Sequence, residues 1–302
     1  MADRKKKGRD ISGILILDKP LNISSNHAVQ RVKRLYGAKK VGHTGSLDPL
    51  ASGVLPICLG HATKVSQYLL ASDKTYQFTM RLGQTTSTGD VEGEVTCEKE
   101  IPDIELVLLN KLLEKFTGEI QQVPPMYSAL KHNGQRLYSL ARKGQTVERP
   151  PRKVTIKSLD LLSNTGDSLT LEVCCTKGTY VRTLAEDIGN ALGCGAHVNF
   201  LRRIKTGPFI LSEAITLEQL ESTQGDLPAL DGLLQSLDLA LQDYPVMSVS
   251  EEDKSHLCLG RPIQVEQTMC EPLIRLNDSK GNIFGLGKGT EDHKLAPVRI
   301  FV

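Results

Sequence analysis

The sequence predicts an α+β protein in two parts, a large domain over residues 1–244 and a small β-rich domain over 245–302. Three observations carry this reading. The chain has 302 residues, room for about two ordinary domains and a full core. Its apolar residues recur with period two in some runs and with helical period in others. Beyond Tyr244-Pro245 the chain turns to short strand-like runs with turn residues between them.

Residues 13–18 form an apolar run closed by Lys19-Pro20, the pattern of a buried strand followed by a turn. Ser24 and Ser25 are N-cap candidates for a helix with Val29, Val32 and Leu35 on one face and Arg31, Lys33 and Arg34 on the other. Residues 41–56 (VGHTGSLDPLASGVLP) are rich in Gly, Pro and small polar side chains and read as a loop, anchored by Leu47, Leu50, Val54 and Leu55. A helix over 62–70 follows. Residues 75–82 alternate strictly, with Tyr76, Phe78, Met80 and Leu82 on one face of a half-buried strand. An amphipathic helix over 104–116 runs through Ile104, Val107, Leu108, Leu112 and Phe116. The polar, proline-bounded segment 122–151 carries Lys131, Arg136, Arg142, Lys143 and Arg149, a long span of the kind that is functional or mobile. Leu169, Leu171 and Val173 alternate again and lead through Gly178-Thr-Tyr-Val-Arg182 into a helix from about residue 183 to 192. The acidic, leucine-rich stretch 217–241 reads as one or two helices over the core. Strands at 273–276, 283–286 and 297–301, with a turn at 278–281, complete the small domain.

Composition excludes several classes. The chain is 39% hydrophobic and 24% charged, which rules out a disordered or collagen-like protein. Its seven cysteines are odd in number and scattered, without C-x-x-C or a His pair at ligand spacing, so neither a disulfide framework nor a metal site is indicated. Vicinal Cys174-Cys175 reads as packed within a strand. The apolar run 14–17 is too short for a signal peptide or a membrane span, which predicts a cytoplasmic protein with a solvated Lys5–Lys7 tail. No G-x-x-x-x-G-K-[ST] occurs, and Gly285-Leu-Gly-Lys-Gly289 reads as a hairpin turn rather than a phosphate cradle, so no nucleotide cofactor is expected.

Net charge is +2, yet residues 1–90 sum to +8 and 128–210 to +7, against −5 over 91–127, −7 over 211–244 and −1 over 245–302. Blocks of this kind either fold into a basic face for a phosphate backbone or lie beside one another and cancel.

Asp48 precedes Pro49 in a loop whose glycines let a ligand approach the backbone. A lone carboxylate there serves as a nucleophile or general base, or simply starts an Asp-Pro turn. His43 reads as a capping or surface histidine. Tyr76 reads as a core tyrosine with its hydroxyl at the edge. Arg182, at a strand-to-helix transition, reads as a carboxylate partner or as a surface arginine.

Taken together, the segments resemble one family. Residues 42–56 resemble the catalytic-loop motif of the bacterial TruB-type tRNA pseudouridine synthases. Asp18-Lys-Pro20 with Ser24-Ser-Asn26 resembles that family's first motif, and Lys74-Thr-Tyr76 its tyrosine motif. Gly178-Thr-Tyr-Val-Arg182 resembles the arginine motif, and Val198-Asn-Phe-Leu-Arg-Arg203 with Thr206-Gly-Pro-Phe209 the leucine motif. Pro124-Pro-Met-Tyr-Ser-Ala-Leu-Lys131 is typical of bacterial members. The likeness runs in order from about residue 12 to 210 and continues more weakly to the end.

The resemblance implies a mixed, mainly antiparallel sheet with flanking helices and a cleft, followed by a PUA-like C-terminal domain. It implies isomerisation of uridine 55 in the T-loop of tRNA to pseudouridine, by base flipping and without a cofactor. Asp48 would attack C1′ of the ribose or C6 of the uracil, or remove the 2′ proton. Arg182 would lie against Asp48 in a charge-assisted contact, single or bidentate. Tyr76 would stack on the flipped base and help remove the C5 proton, while Tyr180 and Leu201 line the base pocket. His43 would fill the space the nucleotide leaves, and Lys19 and Asp90 would support substrate binding. The segment 122–153 corresponds to an insertion that orders over the T-arm. The expected partner is tRNA, bound by a monomer, with no metal, nucleotide cofactor or membrane. The small domain, at −1, is expected to bind RNA less than the catalytic domain, whose cleft should be basic and its far side acidic.

Overall fold

The computed structural model describes residues 8–265 and 271–301; the Lys5–Lys7 run and Cys270 lie outside them. Ten strands build the central sheet. They are β1 (Gly13–Lys19), β2 (Val41–His43), β3 (Ala51–Leu59), β4 (Lys74–Leu82), β5 (Gly118–Gln122), β6 (Arg152–Asn164), β7 (Ser168–Cys175), β8 (Ala196–Thr206), β9 (Phe209–Ile210) and β10 (Ile215–Thr216). Their order is β10-β1-β3-β8-β4-β7-β6-β5, with β2 beside β3 and β9 beside β8. β1 pairs with β10, and β3 with β8, in parallel; the other pairings of this sheet are antiparallel. The sheet is mixed and mainly antiparallel, as the resemblance implied.

Helices α1 (Ser25–Tyr36), α2 (Leu106–Glu114) and α3 (Val181–Ala191) flank the sheet. Helix α1 begins where Ser24 accepts a hydrogen bond from the His27 N–H and ends at Gly37, whose φ of 58° suits glycine. Its Val29 and Val32 join Leu17 of β1, Leu55 of β3, Phe78 of β4 and Leu171 of β7 in the main core.

Three readings of the sequence need correction. The loop assigned to 41–56 ends early, because Ala51–Leu59 is a strand with all nine residues buried. A strand covered on both faces loses the alternation that marks a half-buried one. Gly53 within it is required: its φ is +103°, and a Cβ there would sit 2.2 Å from the Arg203 carbonyl oxygen. Gly53→Ala is expected to destabilise the protein by about 2–4 kcal/mol, read as a lower denaturation midpoint.

Helix α2 buries Leu109 and Leu113, while Val107 and Leu108 stand 64% and 59% exposed. Six of the eight residues 106–113 are apolar, so periodicity does not fix the phase of this helix. The third correction concerns Gly285 and Gly287, which lie inside a strand rather than a turn. Side chains there would meet Ile300 Cδ1 at 2.8 Å and Leu295 Cδ1 at 2.9 Å.

That strand belongs to a second sheet of β11 (Val246–Ser248), β12 (Ile263–Gln264), β13 (Ile274–Asn277), β14 (Ile283–Gly289) and β15 (Lys294–Ile300), in order β11-β13-β14-β15-β12. Leu257, Ile274 and Phe284 form its own small core, and Leu286 and Phe301 pack with Ile14 and Ile16 of β1. Three short helices, Leu217–Ser222, Leu227–Gly232 and Leu237–Ala240, occupy the acidic stretch. The charge blocks partly cancel. Arg9 pairs with Asp231 at 2.6 Å, and Arg31 pairs with Glu221, so basic block 1–90 meets acidic block 211–244 directly. Among the described residues no helix is long and apolar enough to cross a membrane.

Candidate active site

The loop between β2 and β3 is held from below by α1. The Ser25 hydroxyl accepts from Leu47 N–H at 2.7 Å and donates to the Leu47 carbonyl at 2.9 Å. Thr44 N–H bonds Pro56 O, and Asn22 N–H bonds Pro49 O. These bonds carry Asp48 to the edge of a cavity of about 270 Å³, close to the lower end of small-ligand pockets. Asp48, Tyr76, Tyr180, Arg182, Leu201 and Arg203 share that cavity. A wider cleft of about 690 Å³ also reaches Asp48 and Arg182, and takes in His43, Asp90, Arg136 and Arg142.

Arg182, at the start of α3, is 5% exposed, which settles it as a buried carboxylate partner. Its Nη2 lies 2.9 Å from Asp48 Oδ2 and donates to the Tyr127 carbonyl at 2.8 Å. Its Nη1 donates to Asp90 Oδ2 at 3.1 Å and to the Thr88 carbonyl at 2.9 Å. The guanidinium is shared between two carboxylates instead of gripping Asp48 with both nitrogens. Asp90 is 1% exposed and accepts further bonds from the Thr88 hydroxyl and Glu92 N–H. The Asp48 side chain remains 46% exposed. One carboxylate is thus locked in the protein and the other is presented to a ligand.

Tyr76 sits on β4 on the face that alternation gave it, but at the cavity wall rather than inside the core. Burial pushes its phenol up, and the Arg203 charge pulls the other way. Tyr180 is set by β5: its N–H donates to Gln122 Oε1 at 3.0 Å, and Gln122 Nε2 donates back to its carbonyl at 3.3 Å. Burial raises the Tyr180 phenol as well. Leu201 of β8 lies in register with Ala51 of β3 and Phe78 of β4. His43 accepts from Gly45 N–H at 3.3 Å and opens on the outer cleft. Burial first, then the Arg203 charge, lower its pKa, which favours the neutral ring.

Three stretches of the chain match family profiles in succession. Residues 33–181 match the TruB family pseudouridylate synthase N-terminal domain, 182–242 the tRNA pseudouridylate synthase B C-terminal domain, and 245–301 the pseudouridine synthase II TruB C-terminal domain. The chain belongs to the TruB family. It is 52% identical to tRNA pseudouridine synthase B of Pseudomonas paraeruginosa (strain DSM 24068 / PA7), with 99% of each chain covered. It is 50% identical to the protein of that name from Stutzerimonas stutzeri (strain A1501), at the same coverage. Among solved structures, a chain of a Cbf5-Nop10-Gar1 complex superposes with a TM-score of 0.75 at 26% identity, covering 96% of this chain and 85% of that one.

Two features of this TruB-family site were not foreseen in the sequence. Lys19 lines neither cavity. It is fully buried, and its Nζ donates to the carbonyls of Pro20 and Ile23, both at 2.8 Å, fastening the turn before α1. Burial holds it down to about 8. Arg203 was not singled out, yet it is 1% exposed and lines the inner pocket. The signal was its place two residues after Leu201 in a strand, which puts both side chains on one face. Among the described residues, no group of three or more His, Cys, Asp and Glu side chains is arranged to hold a metal ion.

Proposed function

We propose that this TruB-family enzyme converts uridine 55 in the T-loop of tRNA to pseudouridine in the cytoplasm. Residues 1–244 form the catalytic domain, and 245–302 an accessory domain that adds little to RNA affinity. The relatives named above as tRNA pseudouridine synthases support the substrate. The observation that carries the reading is the half-exposed Asp48 carboxylate, oriented at 2.9 Å by a buried arginine at the mouth of a half-open pocket.

The reaction is an isomerisation and needs no co-reactant. The N1–C1′ bond breaks, the uracil turns within the cavity, C5 bonds to C1′, the C5 proton leaves, and N1 takes up a proton. Asp48 assists bond cleavage by attack on C1′ or C6 or by taking the 2′ proton; each route requires an anionic oxygen facing the substrate. Arg182 fixes that oxygen's direction. Tyr76 stacks on the detached base and its hydroxyl serves the C5 proton transfer. Tyr180 and Leu201 close the cavity against water, which would trap a reactive intermediate. The neutral ring of His43 fills the gap left by the extruded nucleotide, offsetting part of the few kcal/mol that flipping costs.

The segment 122–153 meets the T-arm. It folds as a small hairpin, Lys131–His132 against Gln135–Arg136, and a helix, Leu137–Ala141. Arg136 and Arg142 lie over Tyr138, 5.9 and 5.6 Å from its ring centroid, and face the outer cleft. Cations there bind phosphates, so affinity for tRNA is expected to fall at least about tenfold between ~50 and ~200 mM salt. A flat response would contradict a multi-phosphate footprint. The activity itself is tested by release of tritium from an unmodified tRNA transcript carrying [5-³H]uridine. Release approaching one equivalent per tRNA is expected, and binding without release would overturn the reading.

A further inference from the structure

Arg203 is among the largest fully buried side chains of the protein. Its Nε donates to the Val54 carbonyl of β3 at 2.7 Å and its Nη2 donates to the Gly45 carbonyl at 3.1 Å; it stands directly opposite Tyr76 in the β8–β4 ladder, and both side chains line the inner pocket. Val54 and Gly45 offer neutral oxygens. Among the described residues no ion pair includes Arg203, whereas Arg182 has two carboxylates. A buried cation held only by carbonyls is costly, so its charge acts on whatever else is near. Arg203 is among the causes that lower Lys19, His43 and Lys74, and it favours the ionised form of Tyr76.

These two hydrogen bonds and the cross-strand place beside Tyr76 join parts of the site that the chain otherwise keeps separate. Gly45 begins the segment that carries Asp48. Val54 belongs to the strand that follows it. Tyr76 stands across the cavity on β4.

We propose that Arg203 is a positioning residue for Tyr76: it aims the phenol oxygen into the pocket and ties it to the backbone of the Asp48 loop through Gly45. The proposal rests on reading the cavity as a pseudouridine-forming site that uses Tyr76. Arg203 does not itself react; it fixes where the Tyr76 oxygen lies and how readily that oxygen gives or takes a proton. The other titratable groups acting on this phenol are Cys175 and Asp48, and neither contributes a cation.

The test uses the full chain as Arg203→Gln and Arg203→Lys, each alone and combined with Tyr76→Phe. Tyr76 ionisation is read as the tyrosinate absorbance of each protein minus that of its Tyr76→Phe counterpart. Single-turnover rates are measured with saturating tRNA. Arg203→Gln is expected to move Tyr76 ionisation upward by about one pH unit or more. It should also slow single turnover by about tenfold or more, with tRNA affinity changed by less than about threefold. Arg203→Lys, which keeps the charge but not the fork, should fall between. In the Tyr76→Phe background the further loss from Arg203→Gln should be under about threefold, because the two act as one unit.

An unmoved Tyr76 titration would overturn the proposal, as would an equal loss of rate in both backgrounds. Should Arg203→Gln not fold, the titration of Arg203→Lys decides. If Tyr76→Phe alone leaves the rate unchanged, the role given to Tyr76 fails, and the titration still decides whether Arg203 governs its hydroxyl.

Discussion

Arg182→Met is expected to destabilise the protein by about 3–5 kcal/mol and to eliminate turnover. The guanidinium serves four oxygens: the carboxylates of Asp48 and Asp90 and the carbonyls of Thr88 and Tyr127. Methionine fills much of the volume but leaves Asp90, 1% exposed, as a buried anion without a cation. The Thr88 hydroxyl and Glu92 N–H remain on Asp90, and two hydrogen bonds do not replace a charge at that depth. Adding Asp90→Asn removes the stranded charge, so the double variant should be more stable than the sum of the two single losses. Urea denaturation of the four proteins measures this coupling. Turnover should not return in the double variant, because Asp48 still lacks its anchor.

Asp48→Asn should separate chemistry from folding. The side chain is 46% exposed and touches one charged partner, so stability should change by less than about 1 kcal/mol. The amide keeps the size of the carboxylate and still accepts from Arg182, but it carries no negative charge to attack carbon or to take a proton. The single-turnover rate is expected to fall by about 10⁴-fold or more, with tRNA affinity within a few-fold of wild type. Arg182→Met loses stability and rate together, and Asp48→Asn loses rate alone. That contrast distinguishes the anchor from the reacting group.

The proposed reacting group was the easier one to see in the sequence. Asp48 sits in a glycine- and proline-rich stretch where the local pattern equally suits an Asp-Pro turn; its neighbours, which resemble a family motif, single it out. Its supporting residues were harder because their types mislead. Arg203 and Lys19 are cations in or beside strands, a pattern that ordinarily marks a solvent-facing position. Here backbone carbonyls satisfy them: Gly45 and Val54 for Arg203, Pro20 and Ile23 for Lys19. Nothing local in a sequence announces a carbonyl that only the tertiary fold delivers.

Tyr76 shows a related limit. Alternation placed it correctly on the face shared with Phe78 and Met80, which are fully buried. Periodicity identifies a face; it does not say where along that face the core ends and a cavity begins. Strand β3 was missed because burial on both sides erases the period-two pattern, and Gly53 and Pro56 within it look like turn residues. The phase of α2 was missed because it has too many apolar residues. The charge blocks were half informative. Arg136 and Arg142 do face the cleft, yet Arg9 and Arg31 turn to Asp231 and Glu221, so part of the first basic block is spent within the fold.

The most direct measurement is a chemical map of pseudouridine along an unmodified tRNA transcript after incubation with wild type or with Asp48→Asn. Conversion confined to position 55 with wild type, and none with the variant, is the expected result. Conversion at another position, or equal conversion by Asp48→Asn, would contradict the account.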